Sequence, residues 1–140
     1  MKIRYYSTNK RTEEVSLKNA ILMGQAPDRG LFMPCIIPKL DIITISSFKD
    51  LSYADIASVV TGRFLSEEMP EYQISRIAEK AYNFDVPIEI IHSNCYVLRL
   101  DQGPSASFKD FASRFMAHLM NYFSENKLLV LVATSGDTGG

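Results

Sequence analysis

The chain has 140 residues, of which 46% are apolar and 22% charged, with a formal net charge of −1. That length supports one compact domain with its own core, and the composition is ordinary for a globular protein. The near-zero charge argues against a general binder of nucleic acid or anionic membranes, and no apolar run approaches the ~18 residues of a bilayer span.

The opening segment MKIRYYSTNKRTEE has no apolar stretch of the kind that marks a secreted protein, so the cytoplasm is the expected location. Residues 3–6 suit a short strand. Ser16 then stands as an N-cap before Leu17, Ala20 and Ile21 at helical spacing, and Gly24 is a stop. Ala26-Pro27-Asp28-Arg29-Gly30 reads as a turn leading into Leu31-Phe32-Met33-Pro34. A helix begins after Ser52, with Tyr53, Ile56, Ala57, Val60 and Phe64 as its apolar stripe. Another begins near Pro70, with Ile74, Ile77, Ala78 and Ala81 on its inner face.

Cys35 and Cys95 match no metal spacing and are expected to be buried apolar thiols rather than a disulfide. His92 and His118 have no cysteine or carboxylate cluster near them. They are read as structural or surface residues, and no metal site is expected.

The pattern changes after Pro87. Tyr96 to Leu100 alternates as a strand does, and the loop Asp101-Gln102-Gly103-Pro104 follows. Phe108, Phe111, Ala112, Phe115, Met116, Leu119, Met120 and Phe123 recur at helical spacing. Leu128 to Val132 is a continuous apolar run, as expected of a strand buried on both faces of a parallel sheet. The polar, glycine-rich run Thr134 to Gly140 comes last. Strand, helix, strand and glycine-rich loop describe a βαβ unit at its working edge. Residues 1–85 therefore read as a helical subdomain and residues 86–140 as the beginning of an α/β domain.

Lys109 stands at the mouth of the long helix, one or two positions inside it. Ser107 is the expected N-cap, with Asp110 completing a capping box. The first turn of a helix carries roughly +0.5 of an elementary charge. That field, with Phe108 and Phe111 as desolvating neighbours, favours a neutral amine able to attack a carbonyl. The plain alternative is a solvated lysine beside Asp110. The loop Ser135-Gly136-Asp137-Thr138 exposes N–H groups and hydroxyls suited to a carboxylate or phosphate. Asp137 fits that role poorly, because it would repel an anion.

At these residues the chain resembles a known family. GPSASFKDFASRFM, Gly103 to Met116, is similar to the cofactor-lysine motif GPTxAFKD of threonine synthases. ATSGDTGG, Ala133 to Gly140, resembles the ATSGDTG loop of the same family. YYSTNKRTEEVSLKNAILMGQAPDRGLFMP resembles its N-terminal segment, so the likeness covers the whole chain. It implies an α/β protein of PLP fold type II, related to the tryptophan synthase β subunit. The helical N-terminal subdomain would be followed by the start of the parallel-sheet domain, truncated here.

The resemblance implies conversion of O-phospho-L-homoserine and water to L-threonine and phosphate, with pyridoxal 5'-phosphate as cofactor. Lys109 would be the Schiff-base lysine and the proton shuttle. Ser135, Gly136, Asp137 and Thr138 would cradle the substrate carboxylate. Ser105 stands where the family usually has threonine, and keeps the hydroxyl for a substrate contact. Family members are several times longer, so these residues alone are expected to bind cofactor weakly and turn over no substrate. The partners implied are a small-molecule substrate, with no nucleic acid or membrane, in a monomer or homodimer.

Three other readings stand beside this one: a related PLP lyase acting on serine or threonine, a phosphate-binding module without covalent chemistry, and a purely structural piece. An apolar strand edge at Leu128–Val132 with no neighbour would pair with another copy. Unless the C-terminus folds back, self-association rising with concentration is therefore expected in sedimentation, and a strictly monomeric profile over a wide range contradicts it.

Overall fold

The structure, a computed structural model, describes residues 2–139. Strand β1 (Tyr5–Ser7) pairs antiparallel with β2 (Phe32–Pro34), setting Tyr5 opposite Pro34 and Ser7 opposite Phe32. Between them runs α1 (Leu17–Met23). Its start is capped by the Ser16 hydroxyl, which accepts the Asn19 N–H at 3.2 Å, and it ends at Gly24 with φ +69°.

The turn before β2 is tied to the end of β1 by Asp28. One carboxylate oxygen accepts from the Ser7 hydroxyl at 2.6 Å and the Gly30 N–H at 3.0 Å. The other accepts the Arg11 N–H at 3.0 Å. These donors, the Ser7 hydroxyl foremost, hold the Asp28 carboxyl below its usual range. Ser7 is fully buried, and a Cβ at Gly30 would strike its hydroxyl and come within 2.9 Å of the Asn9 nitrogen. Glycine is required there by space.

Helix α2 (Ile42–Ser47), capped by Asp41 through the Thr44 N–H at 2.8 Å, runs into a 3-10 turn at Phe48–Asp50. Neither is anticipated by the sequence reading, and α2 buries none of its residues. Helix α3 (Tyr53–Leu65) opens with a full capping box between Ser52 and Asp55, and α4 (Glu71–Ala81) follows Pro70. On α4 the four expected residues Ile74, Ile77, Ala78 and Ala81 are all buried.

On α3 the expected stripe is corrected: Tyr53 and Val60 are exposed, and Leu65 is the buried residue. Apolar side chains lie on several sides of α3, so its own pattern does not choose a face; packing on α4 does. The core gathers Ile3, Tyr5, Leu17, Leu65, Ile74 and Ile77 with residues from the last helix.

That last helix, α5 (Asp110–Phe123), contributes Leu119 and Phe123 to the core. Arg114 locks it to the C-terminus of α4. Its guanidinium donates to the carbonyls of Ala81 at 2.7 Å and Lys80 at 3.0 Å and to the Asn83 side chain at 2.6 Å. These carbonyls have no intrahelical partner, and a cation suits the negative end of the helix. Beside it the Tyr82 hydroxyl donates to the Phe111 carbonyl at 3.0 Å, and its ring stacks on Phe115 with centroids 5.8 Å apart. Burial, with a smaller contribution from Tyr53, pushes the Tyr82 phenol to about 12.

Between α4 and α5 lies a hairpin of β3 (Ile88–His92) and β4 (Cys95–Leu98), turned at Asn94 with φ +61°. The strand expected over 96–100 thus ends at Leu98 and has an antiparallel partner that the sequence reading did not foresee. Leu128–Val132 is a second correction. These residues form no ladder among the described residues and are 48–85% exposed, because no neighbouring strand is there to pair with them. The cysteines are a third: Cys35 is exposed and Cys95 only half-buried.

Two substitutions test this packing by urea unfolding. Ile74→Ala, at a residue 1% exposed, is expected to cost about 2–5 kcal/mol. Gly30→Ala is expected to cost about 1–3 kcal/mol through overpacking. A Gly30→Ala chain as stable as the parent contradicts the clamp at Ser7.

Candidate active site at the mouth of the last helix

The turn ahead of α5 is folded down by Asp110. This carboxylate is 6% exposed and accepts the Ser105 N–H at 2.9 Å. A Cβ at Gly103 would lie 2.9 Å from Asp110 Cβ and Cγ, so the chain passes closely over the helix mouth. Ala106 closes the turn with its N–H on the Gly103 carbonyl at 3.0 Å and a left-handed φ of +56°. That conformation costs a non-glycine residue on the order of 1–3 kcal/mol and is held by these surrounding bonds.

The capping box expected at Ser107 is not what forms. The Asp110 N–H bonds the Ser107 carbonyl at 3.1 Å, and the Asp110 side chain reaches Ser105 instead. Helix α5 begins at Asp110, and Lys109 is the residue flanking it. The Ser107 hydroxyl accepts the Lys109 N–H at 3.2 Å and donates to Asp137 Oδ1 at 2.7 Å. Asp137 Oδ2 in turn takes the Lys109 amine as an ion pair.

The amine also stands 3.5 Å from the centroid of the Phe108 ring. Its side chain is 30% exposed and that of Asp137 58%. The Lys109 amine, and after it the Ser107 hydroxyl, hold the Asp137 carboxyl below its usual range.

The loop carrying Asp137 turns on Thr134, whose hydroxyl accepts the N–H groups of Gly136 at 3.2 Å and Thr138 at 3.4 Å. Gly136 has φ +126°, which favours glycine. The structure therefore brings Lys109 and Asp137 together and leaves Ser135, Gly136 and Thr138 on the same exposed loop. Two of the loop's N–H groups face Thr134 rather than outward. Ser105 stays at the foot of the helix, its N–H on Asp110. Gly140 lies outside the described residues.

An open depression of about 360 Å³ lies alongside, lined in part by Arg99, Asp101, Ser107, Phe108 and Asp137. Arg99 makes a two-pronged pair with Asp101 at 2.8 and 2.7 Å and reaches Glu89 at 2.5 Å. These carboxylates, Asp101 first, push its own value upward and leave its charge compensated. Sequence reasoning missed Arg99 and the tie from Ser107 to Asp137. Both need a view across strands or across 30 residues. Among the described residues no group of three or more His, Cys, Asp or Glu is placed to hold a metal ion.

A mixed α/β chain with a lysine at a helix mouth, facing a glycine-rich loop, is thus the class that fold and site define. The family model for the threonine synthase N terminus matches residues 4–82, and the chain belongs to that family. It is 34% identical to the threonine synthase of Haemophilus influenzae, over 96% of this chain and 31% of that protein.

A crystal structure of Escherichia coli threonine synthase superposes with a TM-score of 0.89 at 30% identity, covering 97% of this chain and 32% of that one. The PLP-bound threonine synthase of Brucella melitensis superposes with a TM-score of 0.81 at 30% identity, over 86% of this chain and 27% of that one. The chain spans about a third of the length of the relatives it matches.

Because the Asp137 carboxyl is held low, its contacts are present above the ordinary carboxylate range and are lost as pH falls through its lowered value. Amide exchange at Gly136 and Thr138 is expected to stay slow from neutrality down through that range and to quicken only below it. Release of the loop between neutrality and that range contradicts the pairing.

Proposed function

We propose that the protein carrying this chain is a threonine synthase, converting O-phospho-L-homoserine and water to L-threonine and phosphate with pyridoxal 5'-phosphate. The observation that carries the reading is the approach of the Lys109 amine to the glycine-rich loop at Asp137, 28 residues downstream. Family membership supplies the reaction class. On this reading residues 1–85 form the N-terminal subdomain, and 86–140 begin the domain that holds the cofactor.

The residues present fit the cofactor's aldehyde. Lys109 is a partly exposed amine beside an open depression, with the flat face of Phe108 against it. When bound, pyridoxal phosphate supplies an electron sink for charge at the carbon next to the substrate amine. Lys109 would be the residue that anchors the cofactor and the base and acid that moves protons at the substrate's Cα and Cβ. For the amine to act, its pair with Asp137 has to open.

The exposed hydroxyls of Ser135 and Thr138 and the backbone at Gly136 offer donors to the substrate carboxylate. Asp137 serves this reading better as the partner of Lys109 than as a substrate contact, since a carboxylate repels a carboxylate. Ser105, on the turn folded by Asp110, is assigned a substrate contact through its hydroxyl.

Reduction with borohydride in the presence of pyridoxal phosphate, followed by peptide mapping, is expected to label Lys109 above every other lysine. Lys109→Ala is expected to remove that label and leave the fold intact. Labelling spread evenly over surface lysines, or concentrated at another lysine, contradicts the assignment.

A further inference from the structure

We propose that Ser107 is a positioning residue for Lys109, acting through the Asp137 carboxylate; this rests on the reading of Lys109 as the aldehyde-binding lysine. Ser107 is 8% exposed, and its hydroxyl is used in both senses. Its oxygen accepts the Lys109 N–H at 3.2 Å, while its hydrogen goes to Asp137 Oδ1 at 2.7 Å, 30 residues away. The other oxygen of Asp137 faces the Lys109 amine.

Backbone and side chain of the same lysine are therefore joined into one closed circuit through Ser107 and Asp137. A serine needed only to shape the turn would use its oxygen and leave its hydrogen to water. Here the donated hydrogen fixes the plane of a carboxylate that sits on an exposed loop and would otherwise be held by the flexible Lys109 side chain alone. Fixing that plane decides which oxygen meets the amine.

The consequence is chemical. An ammonium has no lone pair for an aldehyde carbon, and one held in an ion pair with a carboxylate has to leave it and give up a proton before it can attack. Ser107 thus keeps the amine placed and held until the carboxylate lets go. Removing the hydroxyl lets Asp137 swing and frees the amine more often.

The test follows capture of pyridoxal phosphate in the presence of cyanoborohydride. Amine and aldehyde lose water to form a carbon–nitrogen double bond, and a hydride plus a proton reduces it to a stable secondary amine. Rates are read at each lysine by peptide mass. Ser107→Ala is expected to speed capture at Lys109 by about tenfold, the worth of one hydrogen bond to a charged group, without changing other lysines. Ser107→Thr is expected to retain the parent rate, and Ser107→Ala to have no further effect in an Asp137→Asn background.

In the same samples without cofactor, the Asp137 carboxyl carbon is expected to titrate higher in Ser107→Ala than in the parent. An unchanged Lys109 rate, an unchanged Asp137 midpoint, or an effect that persists in Asp137→Asn overturns the role of Ser107 and leaves the Lys109 assignment standing. Absence of label from Lys109 in the parent chain overturns both.

Discussion

One contact made across 28 residues organises the site: Asp137 receives the Lys109 amine on one oxygen and the Ser107 hydroxyl on the other. Both partners lie in the turn ahead of α5, and Asp137 lies on a loop that has no ladder to hold it. Exposed ion pairs contribute little alone, because water and salt screen them. The pairing is specific because Ser107 is buried and supplies a second bond at a set angle. Without it the loop would be attached to the helix mouth by a flexible lysine only.

The rest of the chain keeps that helix mouth in place. Leu119 and Phe123 seat the far end of α5 in the core beside Ile74 and Ile77. Arg114 and Tyr82 join its middle to the end of α4, filling acceptors that the last turn of a helix leaves open. Asp110 then folds the turn back over the first residues, where only a glycine at 103 has room. Each step nearer the site depends more on hydrogen bonds and less on burial. Lys109 consequently stands on a base held by burial and backbone contacts, while the loop opposite is held to it by side-chain bonds.

Much of this was legible from residue order. Ser16 and Ser52 cap helix starts and Pro70 fits a first turn, all of it local chemistry, and the α4 face was readable because Ile74, Ile77, Ala78 and Ala81 recur at helical spacing. Lys109 and the loop at Asp137 were legible as candidates from the motifs that carry them. What could not be read depends on distant partners. The face of α3 is chosen by α4, β3 declares itself only by pairing with β4, and the Ser107 hydroxyl donates to a residue 30 positions on. Leu128–Val132 has the composition of a buried strand, yet burial needs neighbours that the described residues do not include.

The circuit at the helix mouth is tested most directly by a double-mutant cycle read through amide exchange at Gly136 and Thr138. If Lys109 and Asp137 hold the loop together, Lys109→Met and Asp137→Asn each quicken exchange, and the double variant is no faster than the quicker single one. Effects that multiply in the double variant would mean the two side chains act independently, and the account of the site would fail.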